Sequence, residues 1–234
     1  MNQSRRDEIE NGLAAVHERI DRACSDSGRP ASDITMVVVT KFFPPSDVRL
    51  LADLGVRHVG ENRHQEAVEK TAECADLDLD WHFIGALQSN KAAAVAGYAD
   101  AVHSVDRAKV LRGLSRGAQE RGRQIDCLVQ VSLDPPEASG RSGAAVEQVP
   151  ELAERIVETD GLVLRGVMGV APLGGDAREA FARLADQASV VRRLEPEATW
   201  ISAGMSLDLE EAIQEGATHL RIGSAVLGPR PVVK

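Results

Sequence analysis

The sequence predicts an α/β protein, a single (β/α)8 TIM barrel. Three observations carry that expectation: eight short apolar runs of strand character, helical stretches alternating strictly with them, and a length of 234 residues, near the roughly 250 typical of the barrel. Strand and helix alternation with connections of helix length calls for parallel strands joined by right-handed crossovers. A doubly wound open sheet is the competitor, because alternation does not itself demonstrate closure. The length leaves no room for a second folded unit, so residues 1–234 are expected to form one domain, with an N-terminal helix at about 4–27 ahead of strand one.

The first helix opens on Ser4-Arg5-Arg6-Asp7, read as an N-cap with an acid three residues on. Ile9, Leu13, Val16, Ile20 and Ala23 share one face of it, and Gly28 and Pro30 end it. From Ile34 the texture becomes β-branched without alternation, as in a strand covered on both faces. Further strands are expected at Val56 to Val59, Trp81 to Ile84, Ala101 to Val105, Ile125 to Val131, Leu162 to Val167, Thr199 to Ser202 and His219 to Ile222. Helices are expected at Ser46 to Leu54, Asn62 to Cys74, Ser89 to Ala96, Arg107 to Arg121, Val146 to Glu158, Ala177 to Leu194 and Leu207 to Glu215. Residues 132–145, with Pro135, Pro136, Gly140 and Gly143, read as a loop after strand five.

Composition narrows the function classes. A net charge of −9, with no basic run longer than Arg192-Arg193, argues against a nucleic-acid partner. Cys24, Cys74 and Cys127 lie far apart with no C-x-x-C and read as reduced thiols. The six histidines form no H-x-H or H-E-x-x-H, so no metal site is expected. The N-terminus lacks a secretory apolar core and no run approaches the ~20 residues of a membrane span. The expectation is a cytoplasmic, soluble monomer without a membrane partner.

On a barrel of this kind the working face is the C-terminal end of the strands, with phosphate commonly bound after strands seven and eight. Those loops read Ser202-Ala203-Gly204-Met205-Ser206 and Gly223-Ser224-Ala225, offering close backbone approach, hydroxyls and amides. Turns that need Gly and Ser only for their backbone angles would look the same. Lys41 leaves strand one at this face, and Arg221 alternates with Leu220 and Ile222 on strand eight, beside strand one in a closed ring. Separately, Lys41 could extend into water and Arg221 could pair with a carboxylate. Together, an amine able to form a Schiff base, a phosphate cradle and a lone cation are the equipment for pyridoxal phosphate. Asn62, after strand two, could hydrogen-bond a ring hydroxyl or cap a helix.

Val39-Thr40-Lys41, Val59-Gly60-Glu61-Asn62, the run from Trp81 to Lys91, Gly204-Met205-Ser206 and Arg221-Ile222-Gly223-Ser224-Ala225 resemble the pyridoxal-phosphate homeostasis protein family, in the family's order and across nearly the whole chain. The resemblance implies a fold type III pyridoxal-phosphate binder without the second β domain, a single barrel like the N-terminal domain of alanine racemase. It implies pyridoxal 5'-phosphate held as a Schiff base on Lys41, Arg221 facing the pyridine nitrogen, and Asn62 near the ring. Ser202, Met205, Ser206, Gly223 and Ser224 would line the phosphate. The chain departs from the family's usual residues at Ala203, Ser224, Ala86 and Arg63, and in Gly140-Arg141-Ser142-Gly143, where a lysine is common.

An arginine beside the ring nitrogen only donates; with no site to accept a proton it cannot stabilise a protonated pyridine as a carboxylate would, so carbanion chemistry is disfavoured. A racemase also needs a second base. The one tyrosine, Tyr98, comes just before strand four, toward the far end of the barrel. The reading is therefore a homeostasis protein without catalytic residues, holding the cofactor reversibly and passing it to apoenzymes. The alternatives are a minor pyridoxal-phosphate enzyme acting on amino acids, such as a racemase, and a cofactor-free phosphosugar enzyme.

Overall fold

The computed structural model describes residues 3–135 and 142–229. Its strands are β1 (Thr35–Val39), β2 (His58–Glu61), β3 (Asp80–Phe83), β4 (Ala101–Val105), β5 (Ile125–Gln130), β6 (Leu162–Met168), β7 (Trp200–Ser202) and β8 (His219–Ile222). They form one closed ring in chain order. Closure rests on parallel pairing of β1 with β8, Thr35 opposite His219 through Val38 opposite Ile222. The barrel replaces the open-sheet alternative.

Helices α1 (Gln3–Asp26), α2 (Pro45–Asp53), α3 (His64–Glu73), α4 (Ala92–Ala96), α5 (Leu111–Arg121), α6 (Val149–Val157), α7 (Ala177–Leu194), α8 (Leu209–Gln214) and α9 (Ser224–Leu227) accompany the strands. The apolar stripe of α1 behaves as its spacing requires: Ile9, Leu13, Val16, Ile20 and Ala23 are all buried. That helix packs on α8 and α9, beside the two loops that follow β7 and β8.

Several boundaries differ from the sequence reading, each for a local reason. Ser4 is not the N-cap, because the helix is already running at Gln3. The second strand begins at His58 rather than Val56, since the Val56 N–H is drawn back to Leu51 O at the end of α2. Helix α3 starts at His64, not Asn62, because Arg63 is extended at φ −119° and ψ 115°. Lys91 N–H closes a turn onto Gln88 O, which leaves Ser89, Asn90 and Lys91 outside α4. Two of the expected helices open in 3-10 turns, at Ala108–Val110 and Val146–Gln148. In front of α8, the Asp208 side chain accepts Met205 N–H at 2.6 Å and delays the helix to Leu209. Helix α9 was not foreseen, because four residues carry no period.

Of the long loop, Ala144 returns to the sheet through Ser132 N–H to Ala144 O and Ala144 N–H to Gln130 O. Pro136, Gly140 and Arg141 lie outside the described residues. The three cysteines are buried free thiols.

The contact between α1 and α9 is the closest support of the β8 loop. A Cβ on Gly12 would lie 2.5 Å from Val226 O and 2.9 Å from Val226 Cα. Both are backbone atoms that cannot swing away. Gly12→Ala should therefore destabilise the protein by about 1–2 kcal/mol despite the better helix propensity of alanine. The urea midpoint at unchanged slope measures it; an unchanged or higher midpoint would show that α9 yields freely.

Candidate functional site

Arg221 is the centre of the barrel's C-terminal mouth. It is 4% exposed, and its guanidinium donates to Ser202 Oγ at 2.7 Å and to Gly169 O at 2.8 Å. Both acceptors are neutral. No described carboxylate forms an ion pair with it, which removes the alternative of a structural arginine salt-bridged across the mouth. Burial pushes the guanidinium down to about 10, opposed by the negative charge of Asp208. Two of its five N–H groups are used in these bonds. The side chain lines a cavity of about 190 Å³ together with Ile84, Gln130 and Met168.

Beneath Arg221 runs a column of hydrogen bonds. Ser202 Oγ lies 2.8 Å from His103 Nδ1, His103 Nε2 lies 2.9 Å from His82 Nδ1, and His82 Nε2 lies 3.1 Å from His58 Nδ1. An arginine only donates, so Ser202 Oγ accepts from it and turns its own proton toward His103 Nδ1. His103 then carries its proton on Nε2 and donates to His82, and His82 does the same to His58. Burial holds His82 and His103 well below the usual histidine range and pushes His219, against Trp200, down to about 3. The column is neutral and points away from the mouth.

His82 is a hydrogen-bonded core residue that supports Arg221 at two removes, a role the sequence does not disclose. The available signal was weak: histidines on separate strands meet only once the ring is closed. Ser202 itself is fully buried, with Oγ committed to Arg221 and His103.

The remaining predicted residues follow four strand ends, those of β1, β2, β7 and β8. Lys41 is half-buried in the turn after β1. Gly223 follows β8, where a Cβ would stand 3.5 Å from Val39 O, so the β8 exit lies against the end of β1. Ser224 is exposed, and Ser206 Oγ accepts the Ala225 N–H at 3.3 Å, joining the loops after β7 and β8. Arg19 of α1 grips the first of these loops through Ser206 O at 2.9 Å and Glu210 at 2.6 Å. Met205 is 39% exposed, with its N–H held by Asp208. Asn62 is half-buried and does not cap α3. Its carbonyl packs against Gly85, where a Cβ would fall 1.9 Å from the oxygen, so only glycine fits.

Tyr98 is engaged with the start of α3. Its ring stacks on His64 at 5.9 Å and its hydroxyl lies 3.5 Å from His64 Nδ1, between α3 and the end of α4. A larger cavity of about 1190 Å³ opens outside the barrel between α1, α2 and α9. It includes Ser224 and Ala225 of the β8 loop but is lined by neither Lys41 nor Arg221.

The donor set at the mouth is unusual in one respect. A buried cation with only neutral partners sits within one seam of an amine and two loop hydroxyls, which suits an anionic ligand bearing a ring acceptor.

Comparison with known proteins agrees. The alanine racemase N-terminal domain family matches residues 13–231. A pyridoxal phosphate homeostasis protein of Mycobacterium bovis is 40% identical, over 97% of this chain and 94% of its own length. The chain belongs to the pyridoxal phosphate homeostasis protein family. A member from Corynebacterium glutamicum is also 40% identical, over 93% of this chain and all of its own (100%). The structure of PipY of Synechococcus elongatus with PLP bound superposes with a TM-score of 0.81 at 34% identity, covering 94% of this chain and 100% of that one.

The neutral histidines predict a pH dependence. Unfolded histidines titrate near ~6.5, so below that value the unfolded chain binds more protons than the native one and stability falls with acidity. His219→Asn removes one such group. Between pH 6.5 and about 4.5 it should lose up to about 2 kcal/mol less stability than the parent, measured by urea unfolding. Equal losses would mean that His219 takes its proton in the native state.

Proposed function

We propose that this chain holds pyridoxal 5'-phosphate reversibly on Lys41 and acts as a carrier that limits free cofactor and passes it to apoenzymes. The observation that carries the reading is the β8–β1 seam, where Arg221 pairs in register with Val37 and Gly223 stands against Val39 O, two residues before Lys41. The family's name and the PLP-bound relative support it. When bound, the cofactor supplies an aldehyde that condenses with the Lys41 amine, a C=N bond replacing C=O with release of water.

The chain's own residues have separable tasks. Arg221 donates toward the pyridine nitrogen, and Ser202 holds Arg221 from below. Asn62 orients the ring from the end of β2. Ser206, Gly223 and Ser224 receive the phosphate, and Met205 covers it from the solvent side.

Carriage is favoured over turnover by two features of the mouth. The group facing the ring nitrogen is a guanidinium, which withholds the proton that an electron sink needs. Tyr98, the one tyrosine, packs against His64 and so supplies no second base at the mouth. The reading takes residues 1–234 as one cofactor-binding domain, working as a monomer in the cytoplasm. Among the described residues no helix is long and apolar enough to cross a membrane.

Borohydride reduction of the cofactor-loaded protein, followed by digestion and mass measurement, should place the label on Lys41. Lys41→Ala should carry no label while unfolding within about 0.5 kcal/mol of the parent. A label on another residue would overturn the assignment, and sustained Lys41-dependent conversion of an amino acid would overturn the carrier role. Ser224→Ala should weaken cofactor retention by about 1 kcal/mol, roughly fivefold, in equilibrium dialysis; unchanged retention would remove Ser224 from the cradle.

A further inference from the structure

Lys41 occupies the second position of a tight turn. Phe43 N–H donates to Thr40 O at 3.0 Å, closing four residues with Lys41 and Phe42 at the centre. Phe42 has φ +72°, and among the described non-glycine residues it is the one with positive φ. That sign pattern belongs to a type II turn, whose third residue is ordinarily glycine. A phenylalanine there is strained and persists only if its surroundings over-determine it.

Three side chains do so. Lys70 of α3 is 2% exposed, although it sits on a helix where a lysine would normally reach water. Its ammonium donates to Thr40 O at 2.8 Å, to Glu61 Oε1 at 2.6 Å and to Glu66 Oε1 at 3.0 Å. Three protons meet three acceptors, so the group has one orientation. Glu61 Oε1 also accepts the Thr40 hydroxyl at 2.5 Å, and Glu66 Oε1 accepts the Phe42 N–H at 2.5 Å. The residue before Lys41 is gripped by carbonyl and hydroxyl, and the residue after it by its amide.

Stability alone gives a poor account of this cluster. Glu61 is 1% exposed and its Oε2 has no hydrogen-bond partner. A buried ion pair with an unsatisfied oxygen is commonly matched or bettered by apolar residues of the same volume. The cluster does fix one thing that apolar residues would not, the conformation of the turn that carries the amine. We propose that Glu61, Glu66 and Lys70 are positioning residues that lock the Thr40–Phe43 turn and so aim Lys41 at the aldehyde of its cofactor. The proposal rests on the reading of Lys41 as the attachment point.

The test uses two kinds of variant. Glu66→Ala removes the acceptor of the Phe42 N–H at a half-buried position, and the pair Glu61→Gln with Lys70→Met removes the cluster without stranding a buried charge. Each is compared with the parent in three measurements: cooperative unfolding, binding of pyridoxine 5'-phosphate, which lacks the aldehyde, and the rate of borohydride-fixable attachment to Lys41. Attachment should slow by about tenfold, the scale of a released backbone strain, while pyridoxine 5'-phosphate binding stays within about twofold. Phe42→Gly, which tolerates positive φ, should restore most of the lost rate in the Glu66→Ala background.

Attachment rates within about twofold of the parent in both kinds of variant would overturn the proposal. So would a parallel fall in binding and attachment, or a Phe42→Gly that rescues nothing. The underlying reading fails separately, if the parent's own label is found away from Lys41. The cluster is then judged on cofactor-free protein by hydrogen exchange of the Phe42 amide: lost protection in Glu66→Ala upholds the lock, and unchanged protection overturns it.

Discussion

A guanidinium buried without a counter-carboxylate is the constraint around which this barrel is arranged. Arg221 is drawn into the ring of strands, yet its partners are a hydroxyl and a backbone carbonyl. An isolated buried cation is costly, and a fold keeps one where its charge has work to do. Ser202 can serve it only because His103 takes the hydroxyl proton, and His103 only because His82 takes the next. The polar interior between β2 and β8 is thus a support for one side chain. Its neutrality matters, since any added positive charge in the column would repel the arginine above it.

The same economy governs the rim. The loops after β7 and β8 are stitched by Ser206 and Ala225 and braced from outside by α1, through Arg19 and the close approach at Gly12. The turn after β1 is braced by α3 through Lys70 and Glu66. Short strand-end segments with little regular structure of their own are held by long-range contacts to helices. Residues that bind can be small and exposed because the rigidity is supplied elsewhere.

The barrel was legible because its evidence is local. Runs such as the one ending at Val39 and the apolar stripe of α1 show their period within a window of a few residues. The mouth was legible through motifs: Lys41, Arg221 and the two Gly/Ser loops stand at strand ends, and strand order alone brings them together. The braces were not. Glu66 and Lys70 have only i, i+4 spacing on a helix to mark them in the sequence; the burial of Lys70 depends on how α3 lies against the β1 turn. His58, His82 and His103 are scattered over three strands with no spacing to connect them. The strained φ of Phe42 has no compositional mark, since glycine would have been the expected sign.

The proposed placement of Arg221 at the pyridine nitrogen has one spectroscopic consequence. The most direct measurement is the nitrogen-15 chemical shift of the pyridine nitrogen in labelled pyridoxal 5'-phosphate bound to the protein, followed across the neutral pH range. An unprotonated nitrogen throughout, shifted toward protonation when Arg221 is replaced by glutamate, is the result this arrangement predicts. A pyridinium nitrogen in the parent protein would contradict it.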